Sequence, residues 1–147
     1  RLPDAGSVKT ETTMKRGCIL LADSHLNVLE GVRSLLQGMF AAVVMVADET
    51  SLFEAADKLK PDLAVVDLSM PVAGEFNVAR RLKNHHPELK VIILSVHDEP
   101  TIVKAALAAG VCGFVLKRSV ATDLIPAVRE ALEGRTYISP AVEAQAG

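Results

Sequence analysis

The chain has few aromatic residues and almost no cysteine. Its 147 residues contain no tryptophan, one tyrosine, four phenylalanines and two cysteines, Cys18 and Cys112. Two cysteines cannot form the dense disulfide framework of a small secreted domain. Both lie in apolar runs, which favours two buried thiols in a reducing compartment over a disulfide or a redox pair.

Long hydrophobic runs and a strong charge bias are also missing. No apolar stretch reaches the roughly 18–20 residues that a membrane-spanning helix needs, and no secretory signal opens the chain. The net charge of −2 gives no reason to expect direct binding to nucleic acid or to an anionic membrane. We therefore expect a cytoplasmic protein with no membrane partner.

A repeated pattern is present instead, in which a short apolar run is followed by a stretch with helical periodicity. The apolar runs cover 18–23, 41–48, 62–68, 90–96 and 113–117. Ser51 and Glu54 resemble a capping box that opens the second helix, and the fifth helix is expected over about 122–133. Continuous apolar runs are typical of strands buried on both faces. The pattern predicts an α/β fold, a doubly wound five-stranded parallel sheet with five helices.

Polar residues stand where these strands end. Asp23 and Ser24 follow the first strand, and Asp67, Ser95 and Lys117 end the third, fourth and fifth. Taken singly, each is an ordinary strand terminus, and Ser24 would also be a good helix N-cap. Because such folds bind ligands beyond the carboxyl ends of their strands, the set as a whole predicts a site.

The residue types in this set suit phosphoryl chemistry. Two carboxylates in one pocket repel each other, and a hard cation such as Mg²⁺ would relieve that repulsion. An ionised aspartate can attack phosphorus and form an aspartyl phosphate. Lys117 could neutralise charge on the transferred group, and Ser95 could donate a hydrogen bond to it.

Five segments resemble the receiver domain of two-component response regulators, in the subfamily usually fused to a C-terminal LuxR-type helix-turn-helix DNA-binding domain. They are ILLADSH (19–25), PDLAVVDLSMP (61–71), VIILSVHDE (91–99), AALAAGVCGFVLK (105–117) and ALEGRTYISP (131–140). The resemblance implies a flavodoxin-like sheet with strand order 2-1-3-4-5. It also implies a receiver domain over 17–134 and a linker over 135–147 toward an effector domain that the chain lacks. Residues 1–16 are expected to be a disordered or artificially added extension, with Met14 a natural start.

The resemblance assigns roles by position. Asp67 matches the phospho-acceptor, and Asp23 matches the first residue of the acidic pair that holds Mg²⁺. The backbone carbonyl of Ser69 matches a further metal ligand. Ser95 matches the switch hydroxyl, and Lys117 matches the lysine that pairs with the phosphoryl group.

Phe114 matches the aromatic residue that turns inward on activation. Plain packing of a strand side chain is an equally good interpretation, because phenylalanine has no hydroxyl that would favour an outward rotamer.

Three positions depart from the family pattern. Ser24 replaces the second acidic residue, so it can bind the metal only weakly or through water. We expect Mg²⁺ affinity to be weakened by about 1–3 kcal/mol, since the lost charge attraction is partly offset by relieved carboxylate repulsion. The loop VAGEF (72–76) carries its glycine one residue early, and Arg118 replaces the usual proline or aspartate.

These features predict a signalling switch and not an enzyme. Its expected partners are a sensor histidine kinase and a second copy, bound through the face formed by helix four, strand five and helix five. DNA would be contacted only through the effector domain. The alternative prompted by Ser24 is a phosphorylation-independent dimerisation or interaction module. A flavodoxin-type carrier or an Asp-nucleophile phosphatase is disfavoured, because aromatic residues are scarce and position 69 is serine.

Overall fold

The computed structural model describes residues 16–23, 26–67 and 77–140. The strands are β1 (Arg16–Ala22), β2 (Phe40–Val46), β3 (Leu63–Asp67), β4 (Lys90–Ser95), β5 (Gly113–Leu116) and β6 (Tyr137–Ile138). The α-helices are α1 (Leu26–Gln37), α2 (Glu49–Leu59), α3 (Asn77–His85), α4 (Pro100–Ala108) and α5 (Val120–Leu132), and a 3₁₀ turn over Lys117–Ser119 precedes α5. Apart from Arg16, the predicted extension 1–16 lies outside the described residues.

The sheet has the order β2-β1-β3-β4-β5-β6, and all of its pairings are parallel. The predicted doubly wound fold with five helices and strand order 2-1-3-4-5 is confirmed. The sixth strand was not predicted: Tyr137 and Ile138 extend the sheet in a segment that we had assigned to the linker. Two residues are too few to produce a detectable alternation of apolar and polar side chains. In the described ranges, no helix combines the length and apolarity needed to cross a bilayer.

Both faces of the sheet are buried, which explains the continuous apolar runs. Successive side chains of a strand point to opposite faces. Leu20 of β1 therefore packs in a cluster with residues of α2, α3 and α4, such as Leu52 and Leu82. The neighbouring Leu21 packs in a second cluster with residues of α1 and α5, such as Leu36 and Leu124. Helices on both faces leave only the ends of the strands for ligands.

The two cysteines are free and partly exposed. The expectation of free thiols is met, but the expectation of full burial is wrong. Cys18 lies near the start of β1, and Cys112 directly precedes β5. The pKa of the Cys18 thiol is raised by partial burial and further by the nearby Asp62 carboxylate. A raised pKa lowers the thiolate fraction at neutral pH, so Cys18 is a poor nucleophile.

Helix α2 begins earlier than the sequence pattern indicated. Asp48 is the N-cap, and its carboxylate accepts a hydrogen bond of 2.8 Å from the Ser51 backbone N–H. The predicted capping box at Ser51 is therefore wrong, because an aspartate at the exit of β2 caps the helix equally well. This hydrogen bond lowers the pKa of the Asp48 carboxyl.

Replacing Asp48 with alanine is expected to lower the thermal midpoint at pH 7 and to have less effect at pH 3. The folded pKa lies below the unfolded value of about 3.9, so the ionised cap stabilises fully above that pH. The contribution is lost as the pH falls through the folded pKa. Thermal melts followed by circular dichroism at both pH values measure the difference. D48N keeps an acceptor without a titrating group, and a D48A effect that is equal at both pH values would contradict the assignment.

Candidate functional site

Two buried carboxylates meet at the point where the strand order of the sheet reverses. Strand β1 has β2 on one side and β3 on the other. The connection from β1 to β2 therefore runs toward one edge of the sheet, and the strands from β3 onward are added toward the other edge. Asp23 directly follows β1, and Asp67 is the last residue of β3. Asp23 is fully buried and Asp67 is 1% exposed. A ligand site is expected at this position in an open α/β sheet.

Lys117 lies between these carboxylates. It is the first residue of the 3₁₀ turn that follows β5. Its Nζ lies 2.9 Å from Asp67 Oδ2 and 3.5 Å from Asp23 Oδ2, and its side chain is only 13% exposed. The structure therefore brings together three of the predicted site residues, although Lys117 is 50 residues from Asp67 in sequence and still farther from Asp23. A low-dielectric setting strengthens such charge pairs.

Ser95 ends β4 and is fully buried. Its hydroxyl donates to the His97 carbonyl at 3.1 Å and accepts from the His97 N–H at 2.8 Å. The Ser95 side chain is thus bonded to the loop that leads into α4. A new hydrogen-bond acceptor for the Ser95 hydroxyl would have to displace the His97 carbonyl. Such an exchange would couple the site to the loop that leads into α4.

Phe114 lies in the middle of β5 and is fully buried. It belongs to the cluster that contains Val103 and Ala106 of α4. Burial of this kind is what the packing interpretation of Phe114 predicts, and the switch role stays a prediction.

Ser24, Ser69 and the VAGEF loop lie outside the described residues. Among the residues that the structure describes, no three His, Cys, Asp or Glu side chains form a metal-binding group. The buried carboxylates of Asp23 and Asp67 both lie within 3.5 Å of the Lys117 ammonium group. Buried carboxylate oxygens at one site fit a hard divalent cation whose coordination is completed by carbonyl and water oxygens.

Sequence reasoning missed an ion pair beside the site. Arg118 Nη2 lies 3.3 Å from Asp98 Oδ2, which joins the loop after β4 to the turn after β5. Both side chains are partly exposed, so the pair adds little stability. No sequence signal could have identified it, because the two residues meet only through the pairing of β4 with β5.

Comparisons with known proteins show which family the chain resembles. Residues 19–129 match the model of the response regulator receiver domain. The transcriptional regulatory protein DegU of Brevibacillus brevis is 33% identical over 126 residues, which are 84% of this chain and 53% of DegU. The probable transcriptional regulatory protein NarL of Mycobacterium tuberculosis is also 33% identical, over 84% of this chain and 58% of NarL.

A solved structure shows the same fold. The isolated receiver domain of RcsB from Salmonella enterica serovar Typhimurium, in the presence of the phosphomimetic BeF₃⁻, has a TM-score of 0.78 and 28% identity. The match covers 88% of this chain and 98% of that one. The chain belongs to the response regulator receiver family, and it spans little more than half the length of the curated relatives named above.

Proposed function

We propose that the chain is a phosphorylation-dependent signalling switch that accepts a phosphoryl group from a histidine kinase on Asp67, with Mg²⁺. The observation that supports this most directly is the buried Asp67 carboxylate at the end of β3, with the Lys117 ammonium 2.9 Å away. An ionised carboxylate is the nucleophile, and an adjacent cation is required to neutralise the incoming group.

The proposed transfer step balances without an oxidant or reductant. One Asp67 carboxylate oxygen forms a bond to phosphorus, while the bond between phosphorus and the donor breaks. From a kinase phosphohistidine the electron pair of that bond stays on the imidazole nitrogen, which then takes a proton from solvent. From acetyl phosphate the pair leaves with acetate. Lys117 pairs with a phosphoryl oxygen in the product.

The metal would be held by the carboxylates of Asp23 and Asp67, the backbone carbonyl of Ser69 and, weakly or through water, Ser24. When bound, Mg²⁺ supplies charge neutralisation for the phosphoryl oxygens. Its own positive charge also offsets the repulsion between the two buried carboxylates.

The switch is proposed to act through Ser95. A phosphoryl oxygen on Asp67 offers the Ser95 hydroxyl a charged acceptor, which is stronger than the neutral His97 carbonyl that it bonds now. Exchange of this bond would shift the loop after β4 and, with Phe114, bias the face formed by α4, β5 and α5 between two states.

The output is proposed to be transcriptional. Solved structures of an RcsB–DNA complex and of two RcsB dimers bound to two parallel DNAs align with this chain over about two thirds of the length of each RcsB chain. We infer that residues 135–147 lead toward a DNA-binding effector domain. The chain would then work in the cytoplasm as a homodimer formed through the α4-β5-α5 face, and it would contact DNA only through that domain.

Incubation with acetyl phosphate and Mg²⁺ tests the proposal. The intact mass should rise by one phosphoryl group, EDTA should prevent the gain, and hydroxylamine should reverse it, because acyl phosphates react with that nucleophile. Absence of a mass gain at saturating Mg²⁺ would overturn the proposal. It would favour the alternative that Ser24 suggests, a receiver that acts without phosphorylation as a dimerisation or interaction module.

Restoring an acidic residue with Ser24→Asp is expected to tighten Mg²⁺ binding about 5- to 150-fold, which corresponds to roughly 1–3 kcal/mol. The new carboxylate would add a charged ligand at the position where the family carries its second acidic residue. The chain has no tryptophan to report binding, so isothermal titration calorimetry is the suitable measurement. Ser34→Asp adds the same charge at an exposed position of α1 and is the matched control. Equal affinities for S24D and wild type would contradict the metal-ligand assignment of position 24.

A further inference from the structure

The segment that leaves the domain is hydrogen-bonded to the strand that leads into the site. We call residues 137–139 the exit segment. It runs parallel to β5, with Tyr137 opposite Gly113. The Tyr137 N–H donates to the Cys112 carbonyl at 3.0 Å, and the Ser139 N–H donates to the Phe114 carbonyl at 2.9 Å.

Ser139 extends this ladder with its side chain. It is fully buried, and its hydroxyl accepts a hydrogen bond of 3.1 Å from the Leu116 backbone N–H. The same hydroxyl donates to Asp123 Oδ2 at 2.8 Å. The hydroxyl thus stands where a longer strand would offer a carbonyl, and both its donor and its acceptor capacity are used. A buried polar group satisfied in this way defines a specific arrangement.

Asp123 ties the exit segment to helix α5. It lies in the first turn of that helix, and it accepts hydrogen bonds from Ser139 and, at 3.4 Å, from the Tyr137 hydroxyl. A single carboxylate therefore receives two side chains of the exit segment, while the backbone of that segment is bound to β5.

Leu116 connects this cluster to the phosphorylation site. It directly precedes Lys117, whose Nζ contacts Asp67 and Asp23. The hydrogen bond from the Leu116 N–H to the Ser139 hydroxyl fixes the backbone of the residue directly before Lys117. Asp67 is consequently linked to Ser139 through the ion pair with Lys117, the peptide bond between Lys117 and Leu116, and the hydrogen bond from the Leu116 N–H.

We propose that Ser139 and Asp123 are positioning residues for Lys117, and that they couple docking of the exit segment to phosphorylation of Asp67. This inference rests on the proposed function. A phosphoryl group on Asp67 gives Lys117 additional anionic oxygens to pair with. This pairing would restrict the motion of Lys117 and of the adjacent Leu116 backbone, and so stabilise the hydrogen bond from the Leu116 N–H to Ser139. Since coupling between two equilibria is reciprocal, a docked exit segment must in turn favour the phosphorylated state.

Hydrogen exchange on the whole chain tests the coupling without a variant. Exchange is measured with Mg²⁺ alone and with Mg²⁺ plus acetyl phosphate, and the mass gain is recorded in parallel. Phosphorylation is expected to increase protection of the Tyr137 and Ser139 amides, and no increase is expected in Asp67→Asn. Phosphoryl uptake with unchanged or reduced protection would overturn the inference alone. No uptake at all would overturn both the inference and the proposed function.

Substitution at Ser139 tests the positioning role. S139A is expected to slow phosphoryl uptake from acetyl phosphate by about two- to thirtyfold, the range over which residues outside a site alter coupling. S139T, which retains the hydroxyl, should recover most of the rate. T136A removes a hydroxyl from an exposed position three residues earlier and should match wild type. The rates of phosphoryl uptake are compared at a temperature at which circular dichroism shows that every variant is folded. Equal rates for folded S139A and T136A would refute the positioning role.

Discussion

Asp67→Asn is expected to abolish phosphoryl uptake from acetyl phosphate. Asparagine has nearly the same shape, but its neutral amide lacks the ionised oxygen that attacks phosphorus. The substitution also leaves one buried carboxylate, Asp23, to pair with Lys117 at 3.5 Å, so the folded structure should be retained. Intact-mass spectrometry after incubation with Mg²⁺ and the phosphodonor measures the loss directly.

The matched control for this substitution is Asp57→Asn. The Asp57 side chain is 72% exposed on α2, and it pairs with His86. This variant should gain one phosphoryl group as wild type does. A full mass gain in Asp67→Asn would show that the acceptor lies elsewhere and would remove the basis of the proposed function.

Lys117→Met is expected to destabilise the folded chain by about 3–5 kcal/mol, the cost of removing one partner from a buried ion pair. Two fully buried carboxylate side chains would then face each other without the ammonium that now lies within 3.5 Å of both. A loss of this size is a large fraction of the roughly 5–15 kcal/mol that stabilises an ordinary domain. Urea denaturation followed by circular dichroism measures the change.

A double-mutant cycle isolates the electrostatic part of that loss. Combining K117M with D67N removes one of the two carboxylates, so the double variant should be more stable than the sum of the single effects implies. Lys104→Met makes the same substitution at an exposed position of α4 and should leave the unfolding midpoint near that of wild type. If K117M and K104M unfold at the same urea concentration, the ion pair does not stabilise the fold.

The positions of the site residues could be predicted because parallel strands align their ends. Recognising that Asp23, Asp67 and Lys117 each follow an apolar run was enough to place them at one edge, since every strand of a parallel sheet ends there. The order of the sheet came from resemblance and not from periodicity, because apolar runs that are buried on both faces do not specify their neighbours.

The sequence pattern could not decide between two neighbouring residues that can each cap the same helix. Asp48 and Ser51 both offer an oxygen that can cap α2, and their residue types do not distinguish them. The position at which β2 ends decides between them, and that position depends on its pairing with β1.

The polar contacts between elements that are distant in sequence could not be predicted from the sequence pattern either. Ser139 and Asp123, and likewise Arg118 and Asp98, belong to different elements, and nothing in their local sequence identifies their partners. The contact of Ser139 with the Leu116 amide exists only because two residues of chain pair with the edge of β5.

Hydrophobic periodicity and the polar strand ends by themselves determined the α/β class, the five repeating units and the edge of the sheet that carries the site. Tertiary structure alone decided how Lys117 divides its contacts between two carboxylates, which acceptor holds Ser95 and how the exit segment joins β5. The physical reason is that burial patterns depend on near neighbours in sequence. Hydrogen bonds and ion pairs instead depend on distances of a few ångströms between elements, and these distances are set only when the sheet and its helices have packed.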